Sequence, residues 1–312
     1  MTRPSAVLPP DLSVTIAGLR LRNPVMVASG TFGYGVEYAD VMPLAGLGAV
    51  VVKGISLEPC DGNDTPRLVE VPGGLVNAIG LQNPGVEGFI NRYLPFLRRH
   101  DVPVVVNIWG RRVEEYAEVA ARLDGVPGVH ALEINISCPN IKDGGHVFGT
   151  RLDAATAVVA GVRANTRLPI MPKLAPNVTD IAAFALAVEA AGADAITLIN
   201  SYPAMVIDVE TRRPVLANRT GGLSGPAIHP IAVKLVYEAA RAVKIPVIGI
   251  GGITGPREAL EFLIAGASAV QIGTANFGGP AIAGRVADGI ADYLRRHDMA
   301  SVHDLIGSLK TP

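Results

Sequence analysis

The chain has 312 residues and a formal net charge of −1, with 49% hydrophobic and 18% charged residues. This composition excludes a disordered polymer, and the near-zero charge gives no reason to expect nucleic acid or an anionic membrane as a partner. Because there are only two cysteines, no disulfide framework exists and a cytoplasmic location is expected. No apolar run is long enough to span a bilayer, and no export signal is visible.

The predicted elements follow a simple order along the chain. Residues 1–11 are Pro-rich and expected to be flexible, and residues 13–22 predict a short β-hairpin around Ala17-Gly18. From Pro24 onward, short apolar runs alternate with longer Ala-rich amphipathic segments, a pattern typical of repeated βα units. The predicted strands are 25–28, 49–52, 104–107, 131–134, 170–173, 195–199, 247–250 and 269–272. Helices are predicted at 113–123, 154–165, 179–191, 230–243, 256–265 and 281–296.

Eight βα units in a chain of this length favour a single α/β domain over residues 1–312, a (β/α)8 TIM barrel. A doubly wound open sheet is the main alternative. Each predicted strand ends in polar or glycine residues, for example Lys53-Gly54, Asn107 and Asn135, and only in a barrel do all these ends meet on one face. Two connections, 56–84 and 202–226, are unusually long and are expected to be loops that cover this face.

Two glycine turns predict a phosphate site. Strand seven ends in Gly251-Gly252 and strand eight ends in Gly273-Thr274, each before a predicted helix. Glycine lets the backbone approach an anion, and phosphate sites after strands seven and eight recur in this fold. The simpler interpretation is that these glycines only form tight turns.

Lysines and asparagines follow the strands toward the same face. Lys53 and Lys173 end apolar strands, so each should face an anionic ligand or act as a Schiff-base nucleophile, unless it only reaches solvent at the rim. The asparagines expected at this face are Asn77, Asn107, Asn135, Asn140 and Asn200. Their amides would suit a heterocycle with alternating C=O and N–H groups, although each alone could be a turn residue.

Cys138 lies in a Ser-Cys-Pro-Asn turn after strand four and precedes Asp143-Gly-Gly145, a hinge-like sequence for a lid. It is either a reactive base or nucleophile or a small buried hydrophobe. Cys60, in a polar loop, is expected to be incidental. The cysteines and histidines lack metal-ligand spacing, so no metal is predicted, and His146 and His229 are expected to lie in loops without a catalytic task.

Six motifs occur in order along the chain. They are Asn23-Pro-Val-Met-Val-Ala-Ser-Gly30, Val52-Lys-Gly54, Gly73-Gly-Leu-Val-Asn-Ala-Ile-Gly-Leu-Gln-Asn-Pro84, Glu133-Ile-Asn-Ile-Ser-Cys-Pro-Asn140, Asn218-Arg-Thr-Gly-Gly-Leu-Ser-Gly-Pro226 and Gly266-Ala-Ser-Ala-Val-Gln-Ile-Gly-Thr-Ala-Asn276. Together they resemble dihydroorotate dehydrogenase, above all the class 1B catalytic subunit, over nearly the whole chain.

The resemblance implies oxidation of (S)-dihydroorotate to orotate in pyrimidine (UMP) biosynthesis, with FMN bound across the barrel mouth. Cys138 would take the proton from C5 while hydride leaves C6 for flavin N5, and Lys53 would lie between flavin and substrate. Lys173 would approach the N1 and O2 edge of the flavin. Since a free thiol titrates near pH about 8.5, flavin reduction is expected to quicken through the alkaline range.

The resemblance also assigns binding positions. The implied catalytic residues are Cys138 and Lys53. The implied substrate-binding residues are Lys53, Asn77, Ile79, Gly80, Leu81, Asn135, Asn140, Asn200 and Ser201. The implied cofactor-binding residues are Ala28, Ser29, Gly30, Lys53, Gly54, Asn107, Asn135, Lys173, Ile199, Ser224, Gly225, Gly251, Gly252, Gly273 and Thr274. Trp109, Tyr202-Pro203 and His146 depart from the family pattern.

The chain shows no GxGxxG unit for NAD and no cysteine cluster for an iron–sulfur centre, so NAD reduction would need a second subunit. The resemblance implies such a partner, carrying FAD and a [2Fe-2S] cluster, bound to a homodimer of this chain as a heterotetramer. Within the family, a class 1A-like enzyme that reduces fumarate is the alternative. Outside it, the alternatives are a flavin-free Schiff-base aldolase and a non-catalytic barrel that serves as a scaffold.

Overall fold

The computed structural model describes residues 9–136 and 148–311. Eight parallel strands form a closed barrel, which confirms the predicted TIM barrel over the open sheet. In chain order they are β1 (Val25–Val27), β2 (Ala49–Ile55), β3 (Val104–Ile108), β4 (Ala131–Asn135), β5 (Ile170–Leu174), β6 (Ile196–Leu198), β7 (Val247–Ile250) and β8 (Ala269–Ile272). Pairing of β8 with β1, and of β5 with β6, completes the ring.

Helices cover the outside of the barrel. The α-helices are α1 (Gly85–Gly88), α2 (Leu94–Leu97), α3 (Val113–Leu123), α4 (Leu152–Arg163), α5 (Ile181–Ala190), α6 (His229–Ala242), α7 (Pro256–Ala265), α8 (Ala275–Gly278) and α9 (Ile282–Arg296). Shorter turns are the π-helical Phe89–Tyr93 and the 3-10 segments Leu44–Gly46, Phe148–Thr150, Pro226–Ile228 and Val302–Asp304. The connection from β1 to β2 thus carries a 3-10 turn where the other units carry an α-helix.

Local chemistry sets several helix ends. The side chain of Asp180 accepts a hydrogen bond from the Ala183 N–H, so α5 begins two residues later than its apolar spacing suggests. Gly266 ends α7 in the left-handed conformation, with φ at 118°, which an L side chain rarely adopts. The bounds of α3 and α7 agree with those predicted from the sequence.

The barrel wall is aliphatic because both of its faces are covered. Val50, Val51 and Val52 of β2 are all 0% exposed, and the strand reads as a continuous apolar run rather than an alternating one. The helices that surround this wall exclude water from its outer side. No helix within residues 9–136 and 148–311 has the length and apolarity needed to cross a bilayer.

The two long connections were expected to be loops, and that expectation was wrong because both contain β-strands. They contribute strands Leu68–Val71 and Gly74–Asn77, and Tyr202–Met205 and Thr220–Ser224, to one four-stranded antiparallel sheet, here named the cap sheet. Gly74–Asn77 from the first connection pairs with Thr220–Ser224 from the second. A Cβ on Gly74 would lie 1.9 Å from the Ser224 carbonyl oxygen, so this close approach requires glycine. A small hairpin of Ile207–Asp208 and Arg213–Pro214 extends from the second connection.

The predicted amino-terminal hairpin is confirmed. Val14–Ile16 pairs antiparallel with Leu19–Leu21, and Ala17 and Gly18 between them have φ of 51° and 81°. Of the start that was expected to be flexible, residues 1–8 lie outside the described part of the chain. The backbone of Asp11 bonds to that of Ala300 and Val302, which connects the start of the described chain to its carboxyl-terminal segment.

Candidate active site

A cavity of about 460 Å³ opens at the carboxyl ends of the barrel strands, next to the cap sheet. This volume lies within the usual range for small-molecule sites, about 300–1,000 Å³. Every predicted site residue in the described ranges lines it, whereas Cys138 and Asn140 lie outside those ranges. The predicted residues that line it are Ala28, Ser29, Gly30, Lys53, Gly54, Asn77, Ile79, Gly80, Leu81, Asn107, Asn135, Lys173, Ile199, Asn200, Ser201, Ser224, Gly225, Gly251, Gly252, Gly273 and Thr274.

The charges that line the cavity all have the same sign. Lys53, Arg67 and Lys173 line it, and none of the described lining residues is Asp or Glu. Since cations that line a cavity favour anionic ligands, the cavity is suited to a phosphate or carboxylate compound. Arg67 was missed by the sequence reasoning. It immediately precedes the cap sheet, where its guanidinium Nη2 donates to the Gln82 side-chain oxygen at 2.7 Å.

Lys173 is held at the floor of the cavity by a buried carboxylate. Its ammonium nitrogen lies 3.5 Å from Glu133 Oε1, and the two side chains are 6% and 0% exposed. The same ammonium lies 3.5 Å from the Ser29 hydroxyl. The attraction between the two groups offsets part of the cost of removing them from water.

Glu133 was also missed, and it organises the layer below the cavity. Its Oε1 accepts from the Asn107 amide at 2.7 Å and from the Ser29 hydroxyl at 3.2 Å, and its Oε2 accepts from the Gln271 amide at 2.9 Å. Gln271 lies on β8, across the barrel from Glu133 on β4, so the network crosses the barrel interior. Barrel interiors are usually filled with branched aliphatic residues, and a polar layer here marks the transition from core to site.

The network also fixes amide orientation. A carboxylate only accepts hydrogen bonds, so the amide groups of Asn107 and Gln271 must turn their NH2 groups toward Glu133. Their carbonyl oxygens then face away and have no hydrogen-bond partner among the described residues. The Asn107 oxygen would lie 2.8 Å from a Cβ on Gly54, which places this acceptor against the cavity wall.

Lys53, unlike Lys173, lies on an irregular segment of its strand. Strand β2 was predicted to end at Val52, but it continues to Ile55 with a register shift after Val52. The Lys53 N–H bonds to the Gly33 carbonyl at 2.9 Å instead of continuing the regular ladder. Such an irregularity re-aims a side chain, here toward the cavity. Burial lowers the pKa of Lys53, the charge of Arg67 lowers it further, and Glu37 acts in the opposite direction.

The glycine turn after β7 has the backbone that its sequence predicts. Gly251 and Gly252 have φ of 142° and 66°, and Gly225 beside them has φ of 104°. A Cβ on Gly252 would lie 2.8 Å from the Gly225 carbonyl oxygen, so the close packing of these two turns requires glycine. After β8, the Thr274 hydroxyl donates to the Ser224 hydroxyl at 2.8 Å and links the second turn to the cap sheet.

The asparagines surround the other part of the cavity. The Asn77 amide donates to the Gly222 carbonyl at 3.2 Å, and the Asn200 amide donates to Asn135 Oδ1 at 3.2 Å. Asn135 is further placed by Tyr116, whose hydroxyl donates to its backbone carbonyl at 2.8 Å. Amides from β4, from the end of β6 and from the cap sheet are thereby brought together.

Several expectations need correction or completion. His229 does not lie in a loop; it begins α6 and is buried. Trp109, one of the departures from the family pattern, is buried and is absent from the cavity lining that the structure describes, whereas Tyr202 pairs with Leu223 in the cap sheet. His146 lies outside the described residues. Cys60 is a free cysteine whose backbone pairs with Asn83.

Other lining residues carried no recognisable signal in the sequence. Most are apolar or small and are brought to the cavity only by the tertiary fold. They are Thr31, Leu68, Leu75, Pro226, Ile228, Ile250, Ile253, Thr254, Ala275, Phe277 and Gly278. Within the described ranges, no group of three or more His, Cys, Asp or Glu side chains is arranged to hold a metal ion.

Comparison with known proteins gives the same family as the motifs. The family model described as dihydroorotate dehydrogenase matches residues 11–294. "Dihydroorotate dehydrogenase B (NAD(+)), catalytic subunit" of Geobacter sp. (strain M21) is 57% identical over 301 residues, covering 96% of this chain and 99% of that protein. The protein of the same name from Geotalea daltonii is 56% identical over 301 residues, with the same coverage.

A solved structure supports the fold. The dihydroorotate dehydrogenase (DHODH) of Eimeria tenella, crystallised in complex with ferulenol, matches with a TM-score of 0.80 over 96% of this chain and 88% of its own. Its sequence is 24% identical, so this likeness concerns the barrel architecture alone. The family model and the relatives above half identity, by contrast, extend through the barrel and both connections of the cap sheet. The chain therefore belongs to the dihydroorotate dehydrogenase family.

Proposed function

We propose that this protein oxidises (S)-dihydroorotate to orotate in pyrimidine biosynthesis, as the FMN-binding catalytic subunit of an NAD-linked enzyme. The observation that supports this most is the composition of the cavity. Its described lining combines three cations, two glycine turns and a group of asparagine amides, with no carboxylate. A flavin phosphate and the carboxylate of dihydroorotate are both anionic, and a pyrimidine ring offers alternating C=O and N–H groups to amides.

The glycine end of the cavity fits the phosphate of FMN. Gly251, Gly252 and Gly273 line this end of the cavity, and a Cβ at Gly273 would meet only the Ala28 Cβ, at 3.8 Å. The Ser224 hydroxyl, which accepts from Thr274, adds a donor at the same end. These groups would hold the phosphate through N–H and O–H donors.

The floor of the cavity fits an isoalloxazine ring. Lys173 would present its ammonium to the N1 and O2 edge, while Asn107 and Ser29 beside it supply an acceptor and a hydroxyl. When bound, FMN supplies the acceptor for the hydride that leaves C6 of dihydroorotate. The fixed positive charge of Lys173 favours the extra negative charge that this chemistry places nearby.

The substrate would occupy the amide part of the cavity. Asn77, Asn135 and Asn200, with Asn140 from outside the described residues, would bind the pyrimidine and its carboxylate. Ile79, Gly80, Leu81 and Ser201 would add backbone and side-chain contacts. Lys53 would lie between the two rings, because its side chain faces the cavity. Burial and the charge of Arg67 lower its pKa, and the negative charge of a bound ligand would favour its protonated form.

Cys138 would be the base. In the sequence it follows Asn135, the last residue of β4, by three positions. Its thiolate would remove the C5 proton of dihydroorotate. Cys138→Ser should retain flavin and orotate affinity but slow flavin reduction by about 10²–10⁴-fold, the usual contribution of a general base. Near-normal reduction would assign the base to another residue.

We further infer that NAD is the final acceptor and that a partner subunit passes it the electrons. The names of the Geobacter and Geotalea relatives include NAD and a catalytic subunit, which supports this inference. The partner would carry FAD and a [2Fe-2S] cluster and bind a homodimer of this chain, in the cytoplasm. No GxGxxG unit in the chain offers a site for NAD itself.

An assay of the purified chain alone, given dihydroorotate and either NAD or fumarate, tests the acceptor. Reduction of neither compound is expected, with NAD reduction restored by a co-purifying flavin and iron–sulfur protein. Fumarate turnover by the chain alone would contradict the NAD-linked assignment and favour a class 1A-like enzyme. A colourless chain that binds no flavin would contradict the flavin proposal and leave the aldolase or scaffold alternatives.

A further inference from the structure

A polar cluster with a buried histidine at its centre lies behind the glycine turn after β7 and outside the cavity lining. Its centre is His229, the first residue of α6, whose side chain is 11% exposed. The imidazole Nδ1 lies 2.9 Å from the Gly251 carbonyl oxygen, and Nε2 lies 2.9 Å from Glu261 Oε2 on α7. Arg257 Nε approaches the other Glu261 oxygen at 3.3 Å. The proposed catalytic mechanism uses none of these three side chains.

Both partners of the imidazole are acceptors. A backbone carbonyl and a carboxylate have no proton to give, so both contacts are hydrogen bonds only when Nδ1 and Nε2 each carry one. The geometry therefore corresponds to an imidazolium ion paired with Glu261. Burial raises the pKa of Glu261, but hydrogen bonds from His229 and Arg257 outweigh it and hold that pKa below its usual value. The carboxylate is thus kept charged beside the ring.

The contact between His229 Nδ1 and the Gly251 carbonyl oxygen determines how the Gly251–Gly252 peptide group is oriented. The Gly251–Gly252 peptide bond is trans, so its C=O and N–H point in opposite directions. With the Gly251 oxygen directed at His229, the Gly252 N–H is directed away from it. That N–H makes no hydrogen bond to any described residue, and Gly252 lines the cavity.

The turn also rests on His229 by direct packing. A Cβ added to Gly252 would lie 2.7 Å from the His229 Cβ. On its other side the imidazole packs edge-on against Phe262, with ring centroids 5.2 Å apart. His229 therefore connects α6, α7 and the turn, and a change in its position must move the turn.

We propose that His229, held as an imidazolium by Glu261, is the positioning residue of the phosphate turn. It fixes the Gly251 carbonyl so that the Gly252 N–H faces the cavity, and it places a positive charge behind the turn. This inference rests on the proposed function, because the anion that the turn would hold is the phosphate of FMN. His229 does not touch the ligand and acts only through the turn.

The test compares FMN with riboflavin, which lacks the phosphate. The full chain, stripped of flavin, is titrated with each compound, and dissociation constants are read from the change in flavin fluorescence. His229→Leu should weaken FMN binding by about 10- to 100-fold, the range for loss of a hydrogen bond that involves a charged group, and leave riboflavin affinity unchanged. His229→Lys, which restores a cation with several donors, should recover part of the loss.

Two further variants sharpen the result. Glu261→Gln removes the charge partner while a neutral His229 can still donate to the Gly251 carbonyl, so its loss of FMN affinity should lie between those of wild type and His229→Leu. His303→Leu changes an exposed histidine and serves as the matched control, with neither affinity altered.

Each contrary outcome has a separate meaning. Equal losses of FMN and riboflavin affinity in His229→Leu would show that His229 only supports the fold and would overturn the proposal. Unchanged FMN affinity would overturn it as well. A wild-type chain that binds neither flavin would instead overturn the assignment of FMN, and with it the premise of this inference.

Discussion

Lys173 and Lys53 line the same cavity from two barrel strands, but their surroundings differ. Lys173 is buried and paired with Glu133 at 3.5 Å, inside a network that crosses the barrel. Lys53 lies on an irregular segment of β2, makes no ion pair with any described residue, and has a pKa lowered by burial and by Arg67. The contrast indicates that Lys173 is part of the electrostatic structure of the fold, whereas Lys53 is held beside the cavity at some energetic cost.

The largest effect is expected from Lys173→Met. Loss of the ammonium leaves Glu133 as a buried charge without its cation, and breaking one side of such a pair lowers the free energy of unfolding by about 3–5 kcal/mol. Urea denaturation of the flavin-stripped chain measures this change. The double variant Lys173→Met with Glu133→Leu is the control and should recover part of the stability. A loss as small as that of an exposed lysine such as Lys234 would show that the pair is not structural.

Lys53→Met should affect flavin reduction strongly and stability little, in contrast to Lys173→Met. The variant should slow flavin reduction by about 10²–10³-fold, the usual loss when one preorganised electrostatic donor is removed. Its thermal midpoint should stay the same or rise, because a partly buried charge without a paired carboxylate is removed. Stopped-flow absorbance and thermal denaturation give the two values. A stability loss like that of Lys173→Met would contradict the comparison.

Glu133→Gln tests the network that distinguishes the two lysines. A carboxamide cannot accept from Asn107 and Gln271 together through both of its polar atoms, since one of them is now a donor. The mismatch should lower the free energy of unfolding by about 1–3 kcal/mol. Loss of the negative charge should also raise the midpoint potential of bound flavin, measured by spectroelectrochemistry. Glu114→Gln on the exposed face of α3 is the control, and a lower potential in Glu133→Gln would contradict this account.

The smallest effect concerns pH. Because the pKa of Lys53 is lower in the folded chain than in the unfolded one, the folded state binds fewer protons between the two values, and stability rises with pH in that window. The stability advantage of Lys53→Met over wild type should therefore be greatest at neutral pH and shrink as the pH rises toward the ordinary lysine range. An advantage that grows with pH would mean that the pKa is raised instead.

Much of this site follows from the sequence, because strand ends in a barrel converge. The glycines, lysines and asparagines predicted at the carboxyl ends do line one cavity wherever the structure describes them. Glu133 was overlooked since it lies within an apolar run and resembles an isolated strand residue. A charge in a strand that is buried on both faces must have partners, and that rule could have identified it.

Other features depend on contacts that no local pattern encodes. The cap sheet pairs Gly74–Asn77 with Thr220–Ser224, far apart in the chain, so both connections were predicted as loops. The irregularity at Lys53 results from pairing with Gly33, again outside its own segment. His229 was expected in a loop just before a helix predicted to begin at Pro230, but α6 begins one residue earlier, at His229.

The proposed function requires that dihydroorotate reduce a flavin in this cavity without help from another subunit. The most direct measurement is anaerobic mixing of the FMN-loaded chain with dihydroorotate, followed at the blue absorption band of oxidised flavin. The band should disappear in the wild-type chain and only very slowly in Cys138→Ser, with orotate formed in equal amount to the flavin reduced. A wild-type chain that binds FMN but keeps its blue band in excess dihydroorotate would contradict it.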